Sequence, residues 1–365
     1  MKISRKKLLI TAAMLLLALV FLPFFSLAVP GRARDYVYRT YLYQVIAEDV
    51  AGGSRDCQQA AERIFDFVYN NLWVVRNEKA VDATPLNGMV RGIAWCDQQS
   101  NVFAQLLGFR NIEAGMIMLR GKKSVSGHTV AYVRLEGHRR IVDPLFGVIL
   151  KDKDGNIARF EDIQNKNSLF SSRLKGQMDT LWMADYCGTL FAGDHPPTVW
   201  SPPAMKVKGL RKALRQMVVL YYRLFGKACF NLYQDTYMAL ARNLSQEKFN
   251  LSRPDEKLYY RARNCQLCGR YRKAVGLYNL LLKKYPESSW ADRACVFRQA
   301  ALMKQGFWDQ AARGLESYLE RKGTASWAEV ARYYLDWCRY CLDKAPLPAG
   351  ASDVDGDAFY FRRGQ

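Results

Sequence analysis

The sequence predicts an α+β domain, with a helix packed on an antiparallel sheet, followed by an all-α helical-repeat domain. Residues 57–76 and 96–107 repeat apolar positions at helical spacing. Residues 112–143 contain runs of β-branched and apolar residues that are typical of strands. Helical periodicity then dominates from residue 205 onwards. This order of elements predicts two domains of different class.

The helix at 96–107 begins at Cys96, and Gly108 is a suitable stop for it. Before it, proline, asparagine and glycine residues within 85–92 predict a loop. After it come predicted strands at 112–120, 127–135 and 138–143. Residues 151–156 carry acidic side chains without calcium-loop spacing, and they predict a turn.

Composition sets the predicted domain bounds. The segment GDHPPTVWSPP is rich in proline, and it predicts a stiff linker. The resulting division is 1–30 targeting segment, 31–192 α+β domain, 193–204 linker, 205–345 helical domain and 346–365 loose tail.

The amino-terminal segment resembles a signal anchor. Four basic side chains within residues 2–7 precede an apolar run at 8–29, and about 20 apolar residues suffice to span a bilayer. Small residues at 26–28 would also permit cleavage and secretion. Because positive charges stay inside, we expect a protein of the bacterial cell envelope. It would be held at the inner membrane by this anchor, with its domains facing the periplasm or the exterior.

The charge is strongly basic, with 54 Lys and Arg against 34 Asp and Glu. Residues 201–300 hold 20 basic and 6 acidic side chains. Such an excess favours an anionic partner such as a membrane surface, although a solvated basic face with no ligand explains it equally well. We expect no nucleic-acid partner, because export is predicted and no nucleic-acid module is recognisable.

The nine cysteines include two CxxC pairs, at 265/268 and 338/341. The gap of about 70 residues between the pairs is longer than a zinc ribbon uses. Both pairs lie in helical sequence, where cysteines pack as small apolar side chains. We therefore expect no metal and no other cofactor.

Three residues carry the chemistry that the sequence predicts. Cys96 begins a helix, where unpaired N–H groups and the helix dipole favour the thiolate over the thiol. A thiol nucleophile needs a base, and that base needs an orienting partner. His128, at the start of a strand, is the predicted base, and Asp143, at the end of the next strand, is the predicted orienting residue. His138, at the turn, and His195, in the linker, are less well placed.

The register of the predicted strands 127–135 and 138–143 decides whether the side chains of His128 and Asp143 can meet. If Glu136-Gly137 forms a two-residue hairpin turn, Leu135 opposes His138 and Asp143 faces Val130. Asp143 then lies two residues diagonally from the predicted base, on the same side of the sheet. Such neighbours are roughly 7–8 Å apart at the backbone, which side chains can bridge.

The blocks GIAWCDQQSNVFAQLLGF, GHTVAYVRL and RRIVDPLFG resemble the three signature blocks of the transglutaminase-like superfamily. The resemblance covers about residues 57–150. It implies a papain-like reaction in which Cys96 attacks an amide carbonyl and His128 protonates the leaving amine. Water or an amine would then resolve the thioester. The sequence departs from the family at Val130, where an aromatic residue is common, and Trp95 directly precedes the cysteine.

This resemblance predicts a cysteine protease, amidase or acyltransferase that acts on a protein or peptide amide. Its helical repeats would hold a protein partner or substrate in a concave groove. Its alternative is an inactive scaffold with the same domain, in which the helical repeats bind an envelope protein partner. Those repeats, at about 255–345, resemble tetratricopeptide-type repeats, and a generic helical bundle stays open. Four residues of the first repeat recur 37 positions later, namely Gly269, Ala274, Tyr278 and Leu282 as Gly306, Ala311, Leu315 and Leu319.

Overall fold

The computed structural model describes residues 24, 26–27, 32–75, 78, 84–120, 126–152, 154–159, 171–172, 198–200, 209–240 and 251–343. Within them the protein is mixed α+β and mostly helical, as the sequence predicts. The helices are α1 (Arg32–Ala51), α2 (Cys57–Asn71), α3 (Pro85–Arg91), α4 (Cys96–Phe109), α5 (Leu210–Leu240), α6 (Pro254–Leu267), α7 (Tyr271–Lys284), α8 (Ala291–Met303), α9 (Trp308–Lys322) and α10 (Ala328–Asp343). The strands are β1 (Ala114–Arg120), β2 (Ser126–Leu135), β3 (His138–Asp143), β4 (Val148–Lys151), β5 (Ser171–Ser172) and β6 (Thr198–Trp200).

The chain divides into two compact units that differ from the predicted domains. One unit comprises Met1–Ile46 with Val207–Asn243, and the other comprises Ala47–Lys206 with Leu244–Gln365. Helix α5 therefore belongs with α1, although the sequence assigns it to the helical domain. The helices from α6 onwards belong to the same unit as the sheet.

In the first unit, the described elements are most of α1 and all of α5. The rings of Tyr38 and Tyr237 stack with their centroids 3.8 Å apart. The Tyr237 hydroxyl donates a hydrogen bond of 3.0 Å to Oδ1 of the buried Asp35. Helix α5 is interrupted at Gly226, whose φ of 64° is not helical.

The predicted membrane anchor is corrected by the described helices. None of them is both long enough and apolar enough to cross a bilayer. The predicted anchoring at the inner membrane is thereby corrected for the part of the chain that the structure describes. The basic head and most of the apolar run, residues 1–23, lie outside the described residues, as does the tail at 346–365.

The sheet is antiparallel, with strand order β5-β4-β3-β2-β1-β6. Its main body is β1 to β4, and the two short strands extend its edges. Glu136 and Gly137 have φ of 52° and 81°, which is the positive-φ pair that tight hairpin turns favour. Leu135 pairs with His138, and Ala131 pairs with Val142. These pairs confirm the predicted register.

Helix α4 packs on β1 and β2 through its apolar face. The predicted core positions Val102, Phe103, Leu106 and Leu107 are all fully buried. Burying side chains of this size contributes roughly 1.5–3 kcal/mol each. Helix α4 is therefore held rigidly against the sheet.

Two connections differ from the sequence prediction. The predicted loop at 85–92 is largely helix α3, which has Pro85 in its first turn and Gly92 in the left-handed region at its end. Its proline and glycine are thus end signals of a short helix. The predicted linker at 193–204 contains β6, which pairs with β1. By contrast, a turn is present at 152–156, where Oδ1 of Asp152 accepts N–H bonds from Asp154 and Asn156.

The second helical region consists of the hairpins α6–α7 and α8–α9, followed by α10. Gly269 and Gly306 occupy equivalent turns, with φ of 70° and 82°. Ala274 and Ala311 are both fully buried where the helices of each hairpin meet, because a small side chain permits close approach there. The predicted 37-residue repeat therefore corresponds to a repeated helical hairpin.

The CxxC cysteines lie on helices or at their ends. Cys265, Cys268 and Cys338 are buried, as apolar packing requires. Cys341 is exposed, so the packing interpretation is wrong for that residue.

Candidate active site

Cys96 is the first residue of α4, and its side chain is half-buried. Trp95 precedes it in extended conformation, and the Trp95 N–H donates a 3.1 Å hydrogen bond to Oε1 of Gln98. The first N–H groups of a helix have no acceptor within the helix. The thiol therefore lies at the positive end of the α4 dipole.

His128 lies on β2 opposite Leu119 of β1, and 15% of its side chain is exposed. Asp143 ends β3, and only 1% of its side chain is exposed. Nε2 of His128 lies 2.5 Å from Oδ2 of Asp143. A carboxylate can only accept, so the imidazole donates this bond from Nε2. The diagonal approach expected from the strand register is therefore realised.

The other oxygen of Asp143 is also engaged. Its Oδ1 accepts hydrogen bonds from the backbone N–H groups of Leu145, at 3.0 Å, and Phe146, at 3.2 Å. The turn that follows β3 thus holds the carboxylate in one orientation. That orientation in turn fixes the plane of the His128 ring.

The side chain of Cys96 lies close enough to the imidazole of His128 to raise its pKa through hydrogen bonding and charge. Nε2 is committed to Asp143, which leaves Nδ1 as the nitrogen available to the sulfur. The structure thus brings together the three residues that the sequence analysis selected. They come from α4, β2 and β3, and they form a continuous thiol–imidazole–carboxylate chain.

The electrostatics of this chain centre on His128. Burial by itself lowers the pKa of the imidazole, but the charge and hydrogen bond of Asp143, together with the hydrogen bond and charge of Cys96, raise it to about 10. The ring is therefore protonated at neutral pH. A neighbouring imidazolium stabilises the thiolate form of a cysteine. A thiolate beside an imidazolium supplies both a nucleophile and the proton that a leaving group needs.

A further contact links helix α4 to β2, the strand that carries His128. The hydroxyl of the buried Ser100, one turn after Cys96, donates to the backbone oxygen of Thr129 at 3.5 Å. Thr129 directly follows His128 in β2. Such a link restricts sliding of the thiol relative to the imidazole.

Two exposed aromatic side chains flank the site. The Phe146 ring lies 5.2 Å from the His128 ring between centroids, and 39% of Phe146 is exposed. Trp95, next to the thiol in sequence, is 53% exposed. Sequence reasoning missed Phe146, for which the available signal was its position three residues after Asp143 in the Asp-Pro turn. By contrast, Val130 is fully buried and does not line an accessible surface.

The sequence analysis considered two other histidines as bases. His138 is exposed at the turn between β2 and β3. His195 lies outside the described residues. Among the residues that the structure describes, no three His, Cys, Asp or Glu side chains are grouped so that they could hold a metal ion.

Comparisons with protein-family models, with curated proteins and with solved structures found no match to this chain. The activity must therefore be inferred from the site residues and their geometry.

Proposed function

We propose that this chain is a transglutaminase-like cysteine enzyme that cleaves or transfers an amide acyl group of a protein or peptide substrate. The observation that supports this proposal is the placement of His128, which lies 2.5 Å from Asp143 and close enough to Cys96 for the thiol to raise its pKa. A helix-start thiol beside an imidazole that a buried carboxylate orients is the arrangement that nucleophilic cysteine catalysis needs.

In the first half of the proposed reaction, the Cys96 thiolate attacks the amide carbonyl carbon. A C–S bond forms, and the carbonyl oxygen becomes an oxyanion. The C–N bond then breaks while His128 gives its Nδ1 proton to the departing amine or ammonia. The products of this half are a thioester on Cys96 and a neutral imidazole.

In the second half, a water molecule or an amine attacks the thioester carbonyl. His128 accepts the proton of that nucleophile, and the C–S bond breaks to restore the thiolate and the imidazolium. Water gives hydrolysis, and an amine gives transamidation. The buried Asp143 holds the imidazole with Nδ1 towards the sulfur throughout both halves.

An oxyanion needs hydrogen-bond donors aimed at the position where its charge develops. The backbone N–H of Cys96 lies at the start of α4, where the helix itself supplies no acceptor. We propose this group as one such donor. A helix start therefore serves the reaction twice, by favouring the thiolate and by donating to the oxyanion.

We further propose that Ala47–Lys206 contains the transglutaminase-like fold and that α6–α10 are tetratricopeptide-type repeats. The support for the first is the position of Cys96 at the start of a helix packed on β1 and β2, with the other two residues on adjacent strands. The support for the second is the 37-residue spacing of the hairpins.

Selective alkylation tests the proposal, and the chain provides a matched comparison. Cys57 is also the first residue of a helix, and it is exposed, but among the described residues no histidine bonds to it as Asp143 bonds to His128. We expect iodoacetamide at pH 7 to modify Cys96 at least tenfold faster than Cys57, as followed by peptide mass spectrometry. His128→Ala should abolish the difference. Equal slow rates in the unaltered protein would reject the enzyme and favour the inactive scaffold.

A further inference from the structure

The backbone that leads into Cys96 is held by a short parallel bridge. We call residues 84–95 the pre-cysteine segment. Within it, the Ala94 N–H donates to the backbone oxygen of Trp73 at 3.1 Å, and the Trp73 N–H donates to the backbone oxygen of Gly92 at 3.0 Å. Any displacement of this bridge moves the start of α4, and the nucleophile with it.

The repeat helices reach this segment through Arg263 of α6. Its Nε donates to the backbone oxygen of Met89 at 3.1 Å, and its Nη2 donates to the backbone oxygen of Asn71, also at 3.1 Å. These two oxygens belong to the last turns of α3 and α2. The final carbonyls of a helix lack partners within the helix and carry the negative end of its dipole. One guanidinium thus caps two helix ends.

Arg263 is fully buried. Within the described part of the chain, no carboxylate forms an ion pair with its guanidinium. The Cζ atom of Arg263 lies 3.8 Å from the centroid of the Phe297 ring on α8. A buried charge without compensation is costly. The two helix ends, the ring face and Oδ1 of Asn71, which accepts from Nη2 at 3.2 Å, stabilise this one. The planar fork of arginine suits two carbonyls in a way that a lysine ammonium does not.

Close packing of α8 and α6 reinforces the same contact. A Cβ placed on Gly92 would lie 2.3 Å from Cζ of Phe297, and Gly92 has a φ of 71°. The hydroxyl of Tyr259 on α6 donates to the backbone oxygen of Val90 at 3.0 Å. The glycine is therefore required both for its backbone conformation and for the approach of the repeat helix.

Helix α10 contacts Trp73, which pairs with the pre-cysteine segment in the bridge. The ring of Tyr333 lies 4.5 Å from the ring of Trp73 between centroids. The hydroxyl of Tyr334 donates to the backbone oxygen of Asn70, near the end of α2, at 3.1 Å. The first helices of the two hairpins and α10 therefore all present residues to α2, Trp73 and the pre-cysteine segment.

We infer that α6, α8 and α10 hold the pre-cysteine segment in place and so set the position of Cys96, with Arg263 as the principal positioning residue. This inference rests on the proposed function, because it assigns the repeat helices a part in that reaction. It also means that the face of α6, α8 and α10 around Arg263 binds the chain's own segment. The pre-cysteine segment therefore already occupies this part of the groove in which the repeats are predicted to hold a partner.

The test compares Arg263→Met and Arg263→Lys with Tyr278→Phe in the full chain. Tyr278 is a matched control, because its ring lies beside that of Tyr259 while its buried hydroxyl donates to Oε1 of Gln266 rather than to the segment. We expect Arg263→Met to slow iodoacetamide alkylation of Cys96 at pH 7 at least tenfold. Its rate should then rise steeply between pH 7 and 9, as for an ordinary thiol.

Arg263→Lys should recover part of the lost rate, since it restores the charge. Tyr278→Phe should stay within twofold of the unaltered protein across the same pH range. A purely structural arginine would give a folded Arg263→Met variant whose Cys96 rate and pH profile are unchanged. That result would overturn the inference.

Amide hydrogen exchange at Ala94 separates this inference from the proposed enzyme, because it reports the bridge and no chemistry. We expect exchange at Ala94 to accelerate at least tenfold in Arg263→Met and to be unchanged in Tyr278→Phe. If Cys96 of the unaltered protein reacts no faster than Cys57, the proposed function fails, and Ala94 exchange still decides the positioning role.

Should Arg263→Met not fold, Tyr259→Phe gives the same two measurements with the loss of a single hydroxyl. We expect about threefold changes in the Cys96 rate and in Ala94 exchange. Unchanged values in that variant would also overturn the inference.

Discussion

His128 and Asp143 lie on adjacent antiparallel strands, and their side chains meet at 2.5 Å between Nε2 and Oδ2. The pair is two residues apart diagonally, in the register that the Glu136-Gly137 turn sets. A slip of one residue would turn every side chain of β3 to the opposite face of the sheet. The short turn between the strands therefore decides whether the imidazole has an orienting partner.

Asp143→Asn should disconnect the imidazole from its partner while keeping the turn. The amide oxygen of asparagine can still accept from Leu145 and Phe146, but its NH₂ group cannot accept from Nε2. We expect the pKa of His128 to fall from about 10 towards its ordinary value. NMR titration of the imidazole measures this change, and alkylation of Cys96 at pH 7 should slow 10- to 100-fold. Asp154→Asn, at an exposed turn position, is the control that should change neither quantity.

The pH dependence of stability has a definite sign. The pKa of His128 is raised in the folded protein, from 6.5 to about 10. A group of this kind contributes stability fully below pH 6.5, and the contribution is lost as pH rises through about 10. Each pKa unit between the folded and unfolded states corresponds to about 1.4 kcal/mol.

The free energy of unfolding of the unaltered protein is therefore expected to exceed that of His128→Gln at pH 6. This difference between the two proteins should be a few kcal/mol smaller at pH 10. Urea unfolding at pH 6, 8 and 10 measures the difference. The exposed His138→Gln variant should show no such trend. A difference between the proteins that is constant with pH would contradict the coupling of His128 to Asp143.

Gly92→Ala should destabilise the protein by two separable effects. The new Cβ strains a residue at φ of 71° and collides with Phe297. Gly137→Ala provides the comparison, because Gly137 has a φ of 81° and no neighbouring atom within 4 Å. We expect a loss of about 1 kcal/mol for Gly137→Ala from strain alone, and about 1–3 kcal/mol more for Gly92→Ala from overpacking. Urea unfolding of both variants measures the losses.

The collision can be isolated by a double-mutant cycle. Phe297→Leu shortens the ring that the added methyl meets, so Gly92→Ala should cost less in that background. An equal cost in both backgrounds would show that Phe297 does not approach Gly92 as described.

Phe146→Ala should change which reagents reach the thiol. The Phe146 ring is exposed beside the imidazole and offers an apolar surface to a bound group. We expect the variant to lose about fivefold or more in Cys96 alkylation by an aromatic chloromethyl ketone, with under twofold loss for iodoacetamide. Phe307, also exposed but on the second hairpin, gives the control variant Phe307→Ala. Equal losses for both reagents would assign the Phe146 ring a general structural role.

The candidate site was accessible to sequence reasoning because its signals are local. The two-residue turn and the alternation along β2 and β3 were sufficient to place Asp143 diagonally from His128. Helical periodicity was sufficient to place Cys96 at a helix start. The prediction was wrong at 85–92. Pro85 and Gly92 were interpreted as loop residues, although they mark the start and the end of helix α3. A helix of seven residues has too few apolar repeats to show a period.

The sequence by itself determined the α+β class, the strand register and the identity of the thiol, imidazole and carboxylate, because each depends on residues close together in the chain. Only the tertiary structure decided what the repeat helices hold. Arg263 caps oxygens of Asn71 and Met89, which precede it by 192 and 174 residues. No turn or periodicity encodes such a contact, because two of its three acceptors are backbone oxygens that every residue possesses, the third being Oδ1 of Asn71. Their availability depends on where α2 and α3 end in space.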